Sequence, residues 1–353
     1  MGNIIYDALN SGLASVLDYL SAHVLTCLLP AFFIAGAIAA FVKKDAILKY
    51  FGADVKKHIS FSVASVSGTV LAVCSCTILP IFAGIYKKGS GMGPAITFLF
   101  SGPAINILAI IYTAQVLGYD IGIARALTAI VMSVLIGFIM SILFRKQEER
   151  KNAANAKELD PDVRKNERKY IWLFVILIAL LVAGGAQIEM MYKASVIAIM
   201  VLVLIVFLVG YFSKTEMRGW GIETWDLTKK IFPILLLGTF IVGIIAYFLP
   251  PETFRPWLGG NSISACLLGS VVGTLLYMPT LLEVPIVGTT LGYSTGVIGG
   301  GPALALLLAG PSISLPSMIV LQRIIGTKKT VAYIFLVVLV SAVAGYLFGA
   351  ISG

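Results

Sequence analysis

The chain has 353 residues, 59% of them hydrophobic and only 12% charged, with a formal net charge of +9. Apolar runs of 18 residues or more recur along it, which makes it an integral membrane protein and excludes a soluble globular domain. The basic residues stand in short loops between these runs, where they orient a chain in the bilayer, so the positive balance points to no nucleic-acid partner.

In chain order, the first thirteen residues lack a positive n-region and carry Asp7 in its place, so no cleavable signal is expected. Ile4, Ile5, Leu9, Leu13, Val16, Leu17 and Leu20 recur at helical spacing and predict an amphipathic interfacial helix feeding the first span. Eight spans are predicted near 24–42, 92–117, 124–144, 170–188, 194–213, 231–249, 297–321 and 330–350. The stretch from Ile59 to Tyr86 is too long for one membrane helix of roughly 20 residues and too short for two. Its break at Cys74-Ser75-Cys76 predicts a re-entrant hairpin. Lys and Arg cluster in 43–57, at Lys87 and Lys88, and in 145–169. A re-entrant 59–86 leaves only Arg125, Lys193 and Arg255 of the basic residues outside and puts both termini outside.

The second half echoes the first. GTVLAVCSCTILP (68–80) matches GTLLYMPTLLEVP (273–285), FLFSGPAIN (98–106) matches LLLAGPSIS (306–314), and Pro30 answers Pro233. The backbone breaks are Pro80, Gly102 and Pro103 in one half, Pro285, Gly310 and Pro311 in the other. The expected fold is an all-α polytopic membrane protein with an inverted-topology repeat, about eight transmembrane helices plus two re-entrant hairpins. It divides into a first repeat (1–144), a charged cytoplasmic loop (145–169), two connecting helices (170–213) and a second, inverted repeat (214–353). Interrupted segments in matching positions point to a solute site near the midplane of a secondary transporter.

Cys74 and Cys76 would lie about 200° apart on an intact helix and converge only where it breaks. With the Ser75 and Thr77 hydroxyls they would form a soft polar cup suited to a trivalent arsenical, a copper(I)-like ion or a sulfur-containing anion. The alternative is two small buried packing residues. No zinc spacing accompanies them, and neither a metal nor a cofactor is expected. Glu283, in the second hairpin at the position equivalent to Ile78, is the acidic residue at membrane depth. Either it takes and releases a proton in each cycle, since desolvation favours its neutral form, or it caps freed backbone amides. Asn106, Ser312 and Ser314 follow the Gly-Pro breaks and either line the same cavity or satisfy loosened backbone. Gly288, Gly292, Gly296 and Gly300 recur every fourth residue and read as a close-approach stripe. Arg323 is expected to snorkel to the cytoplasmic surface, and Asp18, His23 and His58 to be interfacial. No HExxH or P-loop pattern occurs, and no catalytic residues and no enzyme are expected.

The string CSCTILPIFAGIYKKGSGMGPAITFLFSGPAIN, with its second-half echo, resembles the predicted-permease family of bacteria and archaea that includes the ArsP organoarsenical efflux permeases. The resemblance covers nearly the whole chain. It implies a multi-pass inner-membrane permease and, for the arsenical branch, cysteine-dependent export of trivalent organoarsenicals, with Cys74 and Cys76 at the cysteine motif. The expected function is therefore a permease moving a small, thiophilic solute, with the lipid bilayer and a small-molecule or metalloid substrate as its partners. A small-anion permease and a thiol-redox or scaffold subunit of the membrane are the alternatives.

Overall fold

The computed structural model describes residues 2–21, 28–42, 51, 55–71, 75–145, 167–185, 190–248, 251–275 and 282–352, and every regular element among them is helical. The charged loop 145–169 falls mostly outside the described residues, as do His23, Cys74, Met278 and Pro279. The helices are α1 (Gly2–Tyr19), α2 (Leu29–Phe41), α3 (Lys57–Leu71), α4 (Ser75–Lys87), α5 (Met92–Ala104), α6 (Ile107–Leu117) and α7 (Tyr119–Leu143). There follow α8 (Glu167–Gly185), α9 (Met190–Tyr211), α10 (Lys214–Phe248), a 3-10 segment Pro251–Trp257, α11 (Ile263–Leu275) and α12 (Glu283–Pro285), which runs into a π-helical turn Ile286–Thr290. The chain ends with α13 (Gly300–Ser312), α14 (Leu315–Ile325) and α15 (Thr327–Ser352).

Helices α7, α10 and α15 are each long and apolar enough to cross a membrane. The pairs α5–α6 and α13–α14 reach that length only together, bent by 43° and 49° at their Gly-Pro breaks. Proline removes an amide from the ladder and crowds the preceding turn, so the helix bends where Pro103 and Pro311 stand. Helices α2, α8 and α9 coincide with predicted spans, although their described apolar parts are shorter.

Two groups of helices share one arrangement. α5 is packed between α3 and α7, and α13 between α11 and α15. α7 touches both α13 and α15, and α5 touches α13, which joins the groups. Close approach is set by glycine. A Cβ on Gly68 of α3 would meet Phe98 O at 2.9 Å, and one on Gly273 of α11 would meet Leu306 O at 2.9 Å. Beside these groups α2 and α10 pack together, with Trp220 Nε1 donating to Phe33 O at 2.9 Å.

Both ends of the first dipping segment meet the C-terminal end of α7. Lys57 Nζ lies 4.9 Å from the Phe138 ring centre. At the other end, Lys329 Nζ donates to Tyr86 Oη at 3.2 Å while lying 5.9 Å from the Phe144 ring centre. The residues flanking the second-half segment 263–285 meet other elements. Asn261, before α11, accepts from Gly301 N at 2.9 Å and donates to Gly349 O at 3.0 Å, and a Cβ on Gly288 would meet Leu117 Cδ2 at 2.8 Å.

Two readings of local sequence need correction. α1 lies along α10 through Gly12 and Ser15, with Ser11 Oγ donating to Gly243 O at 3.0 Å. Its small residues make that seam and leave Leu9, Leu13 and Leu17 exposed, so it is a packed helix of the bundle and not a separate interfacial one. The glycine stripe is not a helix face. Gly292 and Gly296 have φ of +87° and +72° in the turns between the π segment and α13, a conformation that glycine reaches without strain.

Candidate functional site

The site begins with the tight turn between α6 and α7. Gly118 takes φ +117°, and Gly122 abuts Ala114 so closely that an added Cβ would lie 2.6 Å from that residue's Cβ. This proximity seats Arg125, in the second turn of α7, against α6, about 9 Å along from the helix start by a rise of about 1.5 Å per residue. Arg125 is fully buried, and its Nη1 donates to Thr113 Oγ1 at 2.8 Å. The Thr113 hydroxyl donates in turn to Ala109 O at 2.6 Å, so the threonine is oriented to accept from the arginine.

Opposite stands Glu283 at the start of α12, a helix that packs on α6 and α13. Its side chain is also fully buried, and its Oε1 accepts from Arg125 Nη2 in a salt bridge. The ion pair thus links the first half of the chain to the second. The guanidinium engages only one carboxylate oxygen. Glu283 Oε2 and Arg125 Nε are buried without a hydrogen-bond partner among the described residues. A buried pair of this kind is held at a large desolvation cost, and fully satisfied geometry is what normally offsets it. Two unsatisfied atoms on facing groups therefore mark a place where polar capacity is kept open.

The glycine breaks position this carboxylate. A Cβ on Gly310 would lie 3.5 Å from Glu283 Oε2, and the corresponding Cβ on Gly102 would lie 2.9 Å from Ile78 Cδ1. Ile78 and Glu283, paired by sequence, thus occupy matching seats against matching glycines. Pro285 closes α12 immediately before the π turn. π-helical turns recur at functional sites because they displace a side chain from its α-helical register.

The other expected site residues are distributed differently. Ser75 and Cys76 open α4, directly after the segment holding Cys74 that lies outside the described residues; Thr77 is buried and Pro80 stands inside α4. Asn106 caps α6, its Oδ1 accepting from Leu108 N at 3.0 Å and Ala109 N at 3.4 Å. Ser312 Oγ donates to Leu308 O at 2.6 Å, and Ser314 pairs with the Ser317 hydroxyl at 2.9 Å at the start of α14. The Asn106 cap satisfies two backbone amides at the first bend, and the Ser314–Ser317 contact joins two side chains at the second. Arg323 is exposed at the end of α14, and Asp18 and His58 are exposed. Among the described residues no three His, Cys, Asp or Glu side chains converge on a metal site.

Arg125 is the residue that sequence reasoning misread. Counted among the outside charges at the start of the predicted span 124–144, it is fully buried within α7. The signal was present: Arg125 is the sole Lys or Arg from Tyr119 to Leu143, and a carboxylate at membrane depth requires a counter-charge. Thr113 carried no comparable signal.

The chain matches a family described as predicted permeases over residues 10–350. It is 41% identical over 361 residues to the UPF0718 protein MJ0584 of Methanocaldococcus jannaschii, covering 99% of this chain and 98% of that protein. With the UPF0718 protein YraQ of Escherichia coli it shares 25% identity over 257 residues, 72% of this chain and 58% of the relative. With the UPF0718 protein YcgR of Bacillus subtilis it shares 23% over 117 residues, 33% and 39% of the respective chains. No solved structure matches.

Proposed function

The chain belongs to the predicted-permease family, and on that premise we propose that it is a secondary transporter of a small solute, driven through Glu283. The observation that carries this reading is the fully buried Arg125–Glu283 pair spanning the two halves. Transporters of this class bind cargo between repeats that rock against one another, and an ionisable pair at that boundary gives the two states different proton affinities. Protonation of Glu283 removes the attraction that holds the halves together on this side, and deprotonation restores it.

The two dipping segments are read as re-entrant hairpins of an inverted repeat, entering from opposite faces. The placement of Lys57 and Tyr86 at the C-terminal end of α7, of Gly288 beside Leu117 just before α7, and of Asn261 at the C-terminal end of α15 supports that reading. The Lys- and Arg-rich face is taken as cytoplasmic and both termini as outside. The cargo is proposed to be thiophilic, a trivalent organoarsenical being the type, held at the first hairpin by Cys74 and Cys76 with Ser75 and Thr77, and moved outward.

Proteoliposomes carrying the full chain test this. A pH gradient should drive flux of a trivalent methylarsenical, and the C74S/C76S double variant should abolish it while keeping wild-type thermal stability. Equal flux in both proteins would overturn the thiophilic reading. Flux indifferent to the pH gradient would overturn the coupling.

A further inference from the structure

We propose that the Arg125 guanidinium is a receptor for a small anion, which takes the place of the Glu283 carboxylate when that carboxylate takes up a proton. The proposal rests on the coupling role given to Glu283 above and names a ligand class for the same pair.

Charge accounting leads to it. With Glu283 ionised, the pair is neutral. Proton uptake at Oε2, the oxygen without a partner, leaves a full positive charge on Arg125 at zero exposure. An isolated buried charge in hydrocarbon is not tolerated, so a second charge must arrive with the proton. The local surroundings supply none. α13 contains no charged residue, and α6 offers only Tyr112 among titratable groups. Asp120, in the first turn of α7, is exposed and forms no ion pair with Arg125 among the described residues. Arg255, in the 3-10 segment, lies against Gly292 and is itself a cation. An external anion is therefore the remaining source.

The geometry suits one. Nη1 is occupied by Thr113, while Nε has no partner and Nη2 is freed when Oε1 withdraws. Nε–H and Nη2–H form the parallel two-donor edge of a guanidinium, which matches two oxygens of a carboxylate or oxyanion. Gly310 has no side chain, so no Cβ stands in the 3.5 Å contact position beside Oε2. The ligand is thus a small, singly charged oxyanion, or the acid group of a larger cargo. It enters with one proton, so the pair crosses without net charge.

The full-length protein in lipid nanodiscs provides the test. The probes are methanesulfonate and nitrate, singly charged anions whose own charge stays fixed between about pH 5.5 and pH 7.5. Calorimetry in buffers of different ionisation heat should show about one proton taken up per monovalent anion bound, with affinity rising by up to tenfold for each unit the pH falls. The R125Q/E283Q double variant, neutral and so spared an unpaired buried charge, should lose binding. No binding by any probe, binding without proton uptake, or undiminished binding to the double variant would each overturn the proposal. Arsenical flux that needs the pH gradient while no probe binds would leave the coupling role standing and sink the anion site alone.

Discussion

Ile78 rests against Gly102 in the first dipping unit, and Glu283 rests near Gly310 in the second. The scaffolds around them correspond closely: Gly68 and Gly273 each sit 2.9 Å, by an added Cβ, from the carbonyl one turn before those glycines. The seats differ only in chemistry. Ile78 needs apolar neighbours and is buried among them, whereas Glu283 needs a cation and draws Arg125 into the interior of α7. Two glycine seats of similar packing thus hold side chains of different chemistry, one apolar and one charged.

The strongest way to break this comparison is to separate the charges. Arg125→Leu alone should cost about 3–5 kcal/mol of stability, because it strands a buried carboxylate. Thermal unfolding of the purified protein would show it as a large fall in Tm. Arg125→Leu combined with Glu283→Ile makes the second seat a copy of the first. That double variant should recover the lost stability, as buried pairs replaced by apolar residues often do, yet transport nothing. A double variant as unstable as Arg125→Leu would mean that the two residues do not act as a pair.

Glycine substitutions sharpen the comparison at a lower cost. Gly68→Ala and Gly273→Ala each push a methyl to within 2.9 Å of backbone, so both should lose about 1–3 kcal/mol. The break positions should differ. Gly102→Ala meets Ile78 at 2.9 Å and should be mildly destabilising, whereas Gly310→Ala meets Glu283 Oε2 at an ordinary 3.5 Å and should leave Tm nearly unchanged. Gly310→Ala should instead lower pH-driven flux by placing a methyl against the carboxylate oxygen. Equal Tm losses at Gly102 and Gly310 would show that the two seats are packed alike.

Much of this was legible because membranes reduce the choices open to a chain. Apolar length, Gly-Pro breaks and the internal echo locate α5–α6, α7, α13–α14 and α15, since hydrocarbon leaves the backbone little but helix. Glu283 was visible because charge at that depth is rare. Its partner was not assigned, because Arg125 is separated from it by 158 positions and stands near a predicted span boundary, where a loop charge is the commoner explanation. The glycine stripe failed for a different reason: spacing by four describes a helix face only if the residues are helical, and the turn-forming sequence from Gly292 to Gly296 prevents that.

The smallest expected effect concerns the leading helices of the two halves. α2 has Leu28 at its N-cap and no side-chain cap, whereas α10 begins with a reciprocal one, Glu216 N donating to Ser213 Oγ at 3.2 Å while Ser213 N donates to Glu216 Oε2 at 2.9 Å. Lys169 Nζ and Tyr170 Oη of α8 also donate to Glu216 Oε1, at 2.6 and 2.9 Å. Partial burial works against ionisation of this carboxyl, but the Lys169, Ser213 and Tyr170 hydrogen bonds outweigh it and hold Glu216 down to about 2. A lowered carboxyl stabilises the folded state fully above its ordinary value near 4.5 and loses that contribution as pH falls toward 2. Glu216→Gln should therefore cost about 1 kcal/mol at neutral pH, in the range of a lost cap. The gap between its Tm and that of wild type should narrow on acidification below about pH 4.5, and a gap that widened there would place the stabilising charge elsewhere.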